Sequence, residues 1–275
     1  MEQIHANYLI LAFYIINIDF KIKLIKTNLV IYLLMQNTLS IILAGGLGKR
    51  MKSETPKVLL KVKNKPMIIH VLEKALTISQ NYVLIVVGRY EKQIKNCIEE
   101  HIHQDQKHKI YYVNQEEETV NGEQIAKGTG HALLCCLPFL QQIEINTKIL
   151  VLSGDVPLIN NELLLEFSNY KNALVLSEAT DPTGYGRVFI DTSGIPTIQE
   201  HKFCKKNMLF YKYVNVGIYI FSIPFLNTYM KNLQINNSNE IFLTDLPFEE
   251  FMYWNDFSLF TNVNTIDTLN SLNEN

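Results

Sequence analysis

The run Leu43-Ala44-Gly45-Gly46-Leu47-Gly48-Lys49-Arg50-Met51, followed by Pro56-Lys57, decides how this chain is read. It directly follows Leu39-Ser40-Ile41-Ile42-Leu43, an apolar run of the kind that forms a buried strand. A strand that empties into glycines, then into Lys and Arg, gathers bare backbone N–H groups and cations at one place. Glycine permits the tight turn and lets the backbone approach a ligand closely. Exposed amides beside cations cradle a polyanion, most often a phosphate chain. The reading is a nucleotide enzyme. Two better-known glycine motifs do not fit. A P-loop needs Ser or Thr after Gly-Lys, where this chain has Arg50, and a Gly where it has Leu43. A dinucleotide fingerprint needs a third Gly where it has Met51.

Composition narrows the class. The 275 residues suffice for a full core, as one large domain or a domain with a lobe. Hydrophobic residues make up 47% and charged residues 19%, which is globular rather than disordered. The net charge of −2 offers no global field for nucleic acid, so none is expected as a partner. Cations cluster locally at Lys49, Arg50, Lys52, Lys57, Lys61, Lys63 and Lys65, which suits a triphosphate. Cys97, Cys135, Cys136 and Cys204 form no Cys-x-x-Cys pair and read as buried small residues in a reducing cytosol, so a cytoplasmic location is expected. No zinc is expected either, since no His-x3-His pair falls on an expected helix.

Residues 1–34 stand apart. A largely apolar run from Tyr8 to Ile18 ends at Asp19 and is too short for the about 20 residues that span a bilayer. It lacks the early positive charge and small-residue cleavage site of a secretory signal. Residues 1–34 are therefore expected to be an extension outside the catalytic fold, which occupies 35–275, and Met35 is a candidate translation start. A peripheral membrane contact is the alternative; no membrane span is expected.

Apolar runs alternate with helix-period stretches. Strands are expected at 39–44, 82–88, 110–114, 148–153 and 173–177, with helices at 66–79, 91–103, 130–140 and 160–169 between them. That alternation predicts an α/β fold with a mostly parallel sheet and crossovers on both faces. Ligands of such sheets lie beyond the carboxyl ends of the strands, so Gly45 and Asp155 should share that edge. After it, short strands near 187–190, 195–201 and 211–221 predict a partly antiparallel extension, followed by helices at 244–254 and 265–272.

Further motifs follow in order: Gly128-Thr129-Gly130-His131-Ala132, Leu152-Ser153-Gly154-Asp155-Val156-Pro157, Gly184-Tyr185-Gly186-Arg187, Glu200-His201-Lys202, Asn215-Val216-Gly217-Ile218-Tyr219 and Val263-Asn264-Thr265. With the glycine loop, they resemble the sugar-1-phosphate nucleotidylyltransferases, and most of all the uridylyltransferase domain of the bacterial type of UDP-N-acetylglucosamine pyrophosphorylase. The resemblance covers roughly residues 36–270. It implies a Rossmann-like nucleotidyltransferase fold with a mixed, mostly parallel sheet and a small sugar-binding β extension. The implied reaction joins UTP and N-acetylglucosamine 1-phosphate, with Mg²⁺, into UDP-N-acetylglucosamine and pyrophosphate.

The resemblance also implies roles. Arg50 sits on the leaving pyrophosphate and Lys57 near the α-phosphate and the sugar phosphate. Leu43, Ala44, Gly45, Gly46, Gly128 and Thr129 bind the nucleotide, Thr129 doubling as a helix start. Asp155 and Asn264 hold the metal, in keeping with the one or two protein oxygens that Mg²⁺ usually takes. Gly186, Glu200 and Asn215 bind the sugar. The glutamine that reads the base is Gln115, with Gln124 as its rival, because the stretch from Glu116 to Lys127 is longer than the family spacing. The chain also departs from the family at Ser153, where Tyr is common, and at Phe203, where Asp is common. No hexapeptide repeat follows Asn264, so acetyl transfer and the trimer built by the bacterial β-helix are not expected. Two rival readings remain: a nucleotidylyltransferase for another sugar phosphate or nucleotide, and a catalytically silent sugar-nucleotide binding protein.

Overall fold

Thr38–Leu43, the strand feeding the glycine turn, lies at the centre of a nine-stranded sheet. The computed structural model describes residues 37–274, with 47–54, 80, 117, 121–122, 126, 236–239, 262 and 264–265 outside the described set. The expected extension 1–34 therefore lies outside it, as do Arg50 and Asn264. In chain order the strands are β1 (Thr38–Leu43), β2 (Lys61–Val62), β3 (Lys65–Pro66), β4 (Val83–Val87), β5 (Ile110–Asn114), β6 (Glu118–Val120) and β7 (Glu123–Ile125). There follow β8 (Lys148–Ser153), β9 (Ala173–Glu178), β10 (Arg187–Ile190), β11 (Pro196–Gln199), β12 (Tyr213–Ser222) and β13 (Glu250–Tyr253). β2 with β3, and β6 with β7, make separate two-stranded hairpins.

The large sheet runs β11-β10-β12-β8-β1-β4-β5, with β9 pairing β12 and β13. β1 is parallel to both neighbours, with Leu43 opposite Val86 on one side and Ser153 on the other. The chain leaves β1 towards β4 and β5 and returns to the opposite side at β8. That reversal makes the crevice beyond β1 and β8 a topological switch point, where open α/β sheets bind ligands. β12 runs antiparallel to β8 and carries the sheet into the extension formed with β9, β10 and β11.

Alternate strand residues feed two cores, as the period of 2 requires. Ile42, Ile85, Leu150 and Leu152 face one layer with the helices Met67–Ile78, Glu91–His101 and Asn161–Phe167. Ile41, Val86, Ile149 and Val151 face the other, with the helices Thr129–Cys135 and Ile223–Tyr229. Local chemistry sets several boundaries. Pro66 precedes the first turn of Met67–Ile78, and the Asn160 side chain accepts from the Leu163 N–H at 2.9 Å to cap Asn161–Phe167.

Three expectations need correction. The stretch expected as a helix at 244–254 is a short 3₁₀ turn, Leu243–Asp245, followed by β13, which pairs parallel with β9. Pro247 lacks the N–H that a helix would need there, and the sheet edge at β9 offers the alternative. The helix expected at 130–140 divides into Thr129–Cys135 and Leu137–Leu140, because Pro138 cannot donate across the join. The strand expected at 195–201 stops at Gln199 and gives way to a 3₁₀ turn, His201–Phe203. The helix Ile223–Tyr229 was not expected; Ser222 caps it by accepting from the Phe225 N–H.

Candidate active site

Both strands at the switch point end in the residues that the sequence singled out. Beyond β8, the Gly154 N–H donates to Leu43 O at 3.0 Å, which fastens this turn to the end of β1. A Cβ at Gly154 would lie 3.0 Å from that same oxygen, so the approach needs glycine. Asp155 follows and meets Lys57, whose Nζ donates to Asp155 Oδ2 at 2.5 Å. Lys57 opens a 3₁₀ turn just after Pro56. The pair is 13% and 26% exposed, so it sits at the floor of the edge rather than out in solvent. Lys57 and Asp155, two of the residues given roles by the resemblance, are thus brought together in the fold.

A second group forms between β1, β4 and β5. The Ala44 N–H donates to Val86 O at 2.9 Å and the Gln115 N–H to Val87 O at 2.7 Å, which holds the residues following β1 and β5 against β4. Gln115 Nε2 donates to Gly128 O at 2.9 Å and lies 3.4 Å from His131 Nδ1. Its Oε1 lies 2.9 Å from where a Gly45 Cβ would stand. Gln115 therefore joins Gly45 to Gly128, with its amide protons turned to the Gly128 turn and its carbonyl towards Gly45. Burial, with Lys127 nearby, holds the His131 pKa below the ordinary imidazole value, so the neutral ring can accept. Gln124 belongs to β7, and its side chain is outside what is described. Gly46 is exposed, with nothing within 4 Å of a would-be Cβ. An open cavity of about 590 Å³ adjoins Gln115, lined in part by Gly88, Arg89, Lys92 and Asn114.

Gly128 has φ +89° and caps the helix Thr129–Cys135. The Thr129 hydroxyl oxygen accepts from the Leu243 N–H at 3.1 Å, so it braces a distant segment.

The three expected sugar residues form a third group. The Asn215 N–H donates to Gly186 O at 2.9 Å, and Glu200 Oε2 lies 3.7 Å from the place of a Gly186 Cβ. Asn215 Nδ2 donates to the Tyr219 hydroxyl at 2.7 Å, and its Oδ1 accepts from the Gly217 N–H at 3.1 Å. These bonds span an irregularity in the β12–β9 register between Asn215 and Tyr219, a bulge of the kind that re-aims side chains. Burial pushes the Tyr219 phenol up and also raises Glu200, whose Oε1 accepts from the Thr244 hydroxyl at 2.8 Å.

Some contributors were not assigned roles from the sequence. Ser153 Oγ donates to Gly217 O at 3.2 Å, which ties the end of β8 to the bulge. A Cβ at Gly217, at φ +81°, would meet that oxygen at 2.5 Å. Arg187 is 1% exposed; its guanidinium donates to the carbonyls of Tyr185 and Leu209, so this arginine is structural. The Gly-Tyr-Gly-Arg pattern was visible, but nothing in it separates a ligand arginine from a buried brace. Among the described residues no group of three or more His, Cys, Asp or Glu is placed to hold a metal, and no helix is long and apolar enough to cross a membrane.

Comparison with known proteins gives the family and the fold. The nucleotidyl transferase family profile matches residues 39–253. The chain is 39% identical over 215 residues to "Bifunctional protein GlmU" of Clostridium botulinum (strain Kyoto / Type A2), covering 75% of this chain and 43% of that protein. It is 35% identical over 213 residues to a protein of Acanthamoeba polyphaga mimivirus named "Probable UDP-N-acetylglucosamine pyrophosphorylase", covering 74% and 78% respectively. The chain thus spans less than half the length of the clostridial relative. A Bacillus anthracis structure named "Putative Glucose-1-Phosphate Thymidylyltransferase" superposes with a TM-score of 0.64 at 22% identity, over 86% of this chain and 94% of that one, a likeness of fold.

Proposed function

Because this chain belongs to the nucleotidyl transferase family, we propose that it transfers a uridylyl group from UTP to N-acetylglucosamine 1-phosphate, releasing pyrophosphate. The observation that carries the reading is the meeting of Lys57 and Asp155 at 2.5 Å, on the edge where β1 and β8 end. The name of the mimiviral relative supports the choice of product.

The sugar phosphate oxygen attacks the α-phosphorus of UTP, and pyrophosphate leaves in line. That oxygen is already anionic at neutral pH, so no general base is needed. The protein has to hold two mutually repelling anions together and offset the charge on the leaving group. Lys57 supplies a cation beside the α-phosphate and the sugar phosphate, and Arg50 supplies one to the pyrophosphate. The Leu43 to Gly46 turn offers backbone donors to the nucleotide, as do Gly128 and Thr129 on the other side.

Gln115 reads the base. With its N–H groups turned to Gly128, its Oε1 is left as an acceptor, which suits the imide N–H of uracil. Cytosine presents a lone pair at that ring position, so the site should disfavour CTP. Glu200 and Asn215 take the hydroxyl and acetamido groups of the sugar beside Gly186, where a Cβ would already stand 3.1 Å from Ile198 Cγ2.

The donor set fits Mg²⁺: Asp155 is a hard oxygen ligand, with Oδ2 on Lys57 and Oδ1 remaining, and the substrate phosphates can fill further positions. Asp155 and Asn264 would hold the ion, which when bound neutralises phosphate charge. We assign the catalytic fold to 35–275, residues 1–34 to an extension, and the protein to the cytoplasm.

The test is pyrophosphate release across a panel of UTP, CTP, GTP and dTTP with several sugar 1-phosphates. Preference for UTP with N-acetylglucosamine 1-phosphate supports the reading. Turnover of another pair would reassign the substrate, and no turnover by folded protein would favour a silent sugar-nucleotide binder.

A further inference from the structure

One short segment touches both halves of the proposed site. Residues 241–244 are fastened on the nucleotide side by three hydrogen bonds. The Ile241 N–H donates to Lys127 O at 2.9 Å, the Gly130 N–H donates to Ile241 O at 2.8 Å, and the Leu243 N–H donates to Thr129 Oγ1 at 3.1 Å. On the sugar side the Thr244 hydroxyl donates to Glu200 Oε1 at 2.8 Å. The Lys202 ammonium pairs with Glu240 and lies 4.9 Å from the Phe242 ring centroid, and the Phe203 ring stands 6.1 Å from that of Phe242. Phe203, the departure from the family pattern, thus packs against this segment. Leu243 and Leu246 are buried in the same core as Ala132 and Leu133, which leaves the segment little freedom to slide.

We propose that Thr244 is a positioning residue for the sugar phosphate: through its hydroxyl it fixes the Glu200 carboxylate relative to the Gly128-Thr129 turn, so that the sugar subsite is registered on the nucleotide subsite. The assignment rests on Glu200 being the sugar-binding acid of the proposed function. Oε1 is held by Thr244, and Oε2 is thereby turned to the space over Gly186. Without the hydroxyl, a buried carboxylate oxygen loses its donor and the group is free to rotate. A brace that served only stability would give no reason for the effect to fall on one substrate.

The experiment compares wild type with Thr244→Val, which keeps the shape and removes the donor, and Thr244→Ser, which keeps the donor. KM is measured for N-acetylglucosamine 1-phosphate at saturating UTP, and for UTP at saturating sugar phosphate, with melting temperatures alongside. Thr244→Val is expected to raise the sugar phosphate KM about tenfold, the scale of losing one hydrogen bond to a charged group. KM for UTP and kcat should stay within about twofold, and Thr244→Ser should restore the sugar KM. The acid limb of the sugar phosphate KM should also move to higher pH in Thr244→Val, since a lost donor disfavours the ionised carboxylate. The other charges facing Glu200 are Lys202, Asp245 and Glu240, and all remain in the variant. Thr244→Ala serves if Thr244→Val does not fold. A wild-type sugar KM in the donor-less variant, or equal increases in both KM values, overturns the assignment while the proposed function stands. A wild type that turns over no such pair overturns the proposed function, and this assignment with it.

Discussion

Gly128→Ala probes the join between the nucleotide turn and the 241–244 segment. At φ +89° and ψ 171°, Gly128 occupies a region that is essentially restricted to glycine. Forcing alanine into it costs about 1–3 kcal/mol. The contact is a separate cost, because the new Cβ would stand 2.4 Å from Ile241 O, 3.0 Å from Ile241 N and 3.1 Å from Ile241 C. That neighbour is backbone and cannot rotate away. Moving it breaks or bends the Ile241–Lys127 and Gly130–Ile241 hydrogen bonds, at about 1 kcal/mol each. The expected total is roughly 3–5 kcal/mol, a fall in melting temperature on the order of 10 °C. Gly194→Ala is the control, since Gly194 has φ +80° with nothing within 4 Å of its would-be Cβ. It should show the backbone cost alone, about 1–3 kcal/mol and a few degrees. The assay is thermal unfolding of the three proteins together with KM for UTP, which should rise only in Gly128→Ala. Equal shifts for the two variants, with an unchanged UTP KM, would refute the claim that the close approach to Ile241 matters.

Two more predictions concern buried groups. Burial raises the Glu200 pKa above its ordinary value of 4.5, so its contribution to stability is fully present below that value and is lost as pH climbs through the raised one. Glu200→Gln removes that loss: urea melts should find it no more stable than wild type at pH 4 but more stable at pH 8, while its sugar phosphate KM rises. Equal pH dependence in both proteins would contradict this. Cys136 is fully buried and its thiol is pushed up to about 12, so iodoacetamide should spare it in the native protein and label it after unfolding; stoichiometric native labelling would contradict that.

Much of the sheet was legible because its strands carry strong local signals. Residues 110–114 and 148–153 are bounded as expected, and Gly45 and Asp155 follow neighbouring parallel strands, as the alternation of elements requires. The region after Thr244 was misread because Phe248, Phe251 and Met252 have an apolar spacing that a helix could also use, and only the free edge of β9 selects the strand. At the site, the glycine turn and Asp155 announce themselves by residue type. The links that organise it do not. Leu243 and Thr129 are 114 positions apart, and Thr244 and Glu200 are 44 apart. Ser153 departs from the family pattern, and only the fold brings Gly217 against its hydroxyl. Such contacts come from topology, and no local periodicity encodes them.

In the proposed function Asp155 lends its carboxylate to a metal-assisted uridylyl transfer beside Lys57. The most direct measurement is pyrophosphate release from UTP and N-acetylglucosamine 1-phosphate across a Mg²⁺ titration, for wild type and Asp155→Asn. The account predicts metal-dependent turnover in wild type and a loss of about 100-fold or more in the variant, whose melting temperature stays close to wild type. A variant with near-normal rates and an unchanged Mg²⁺ dependence would contradict it.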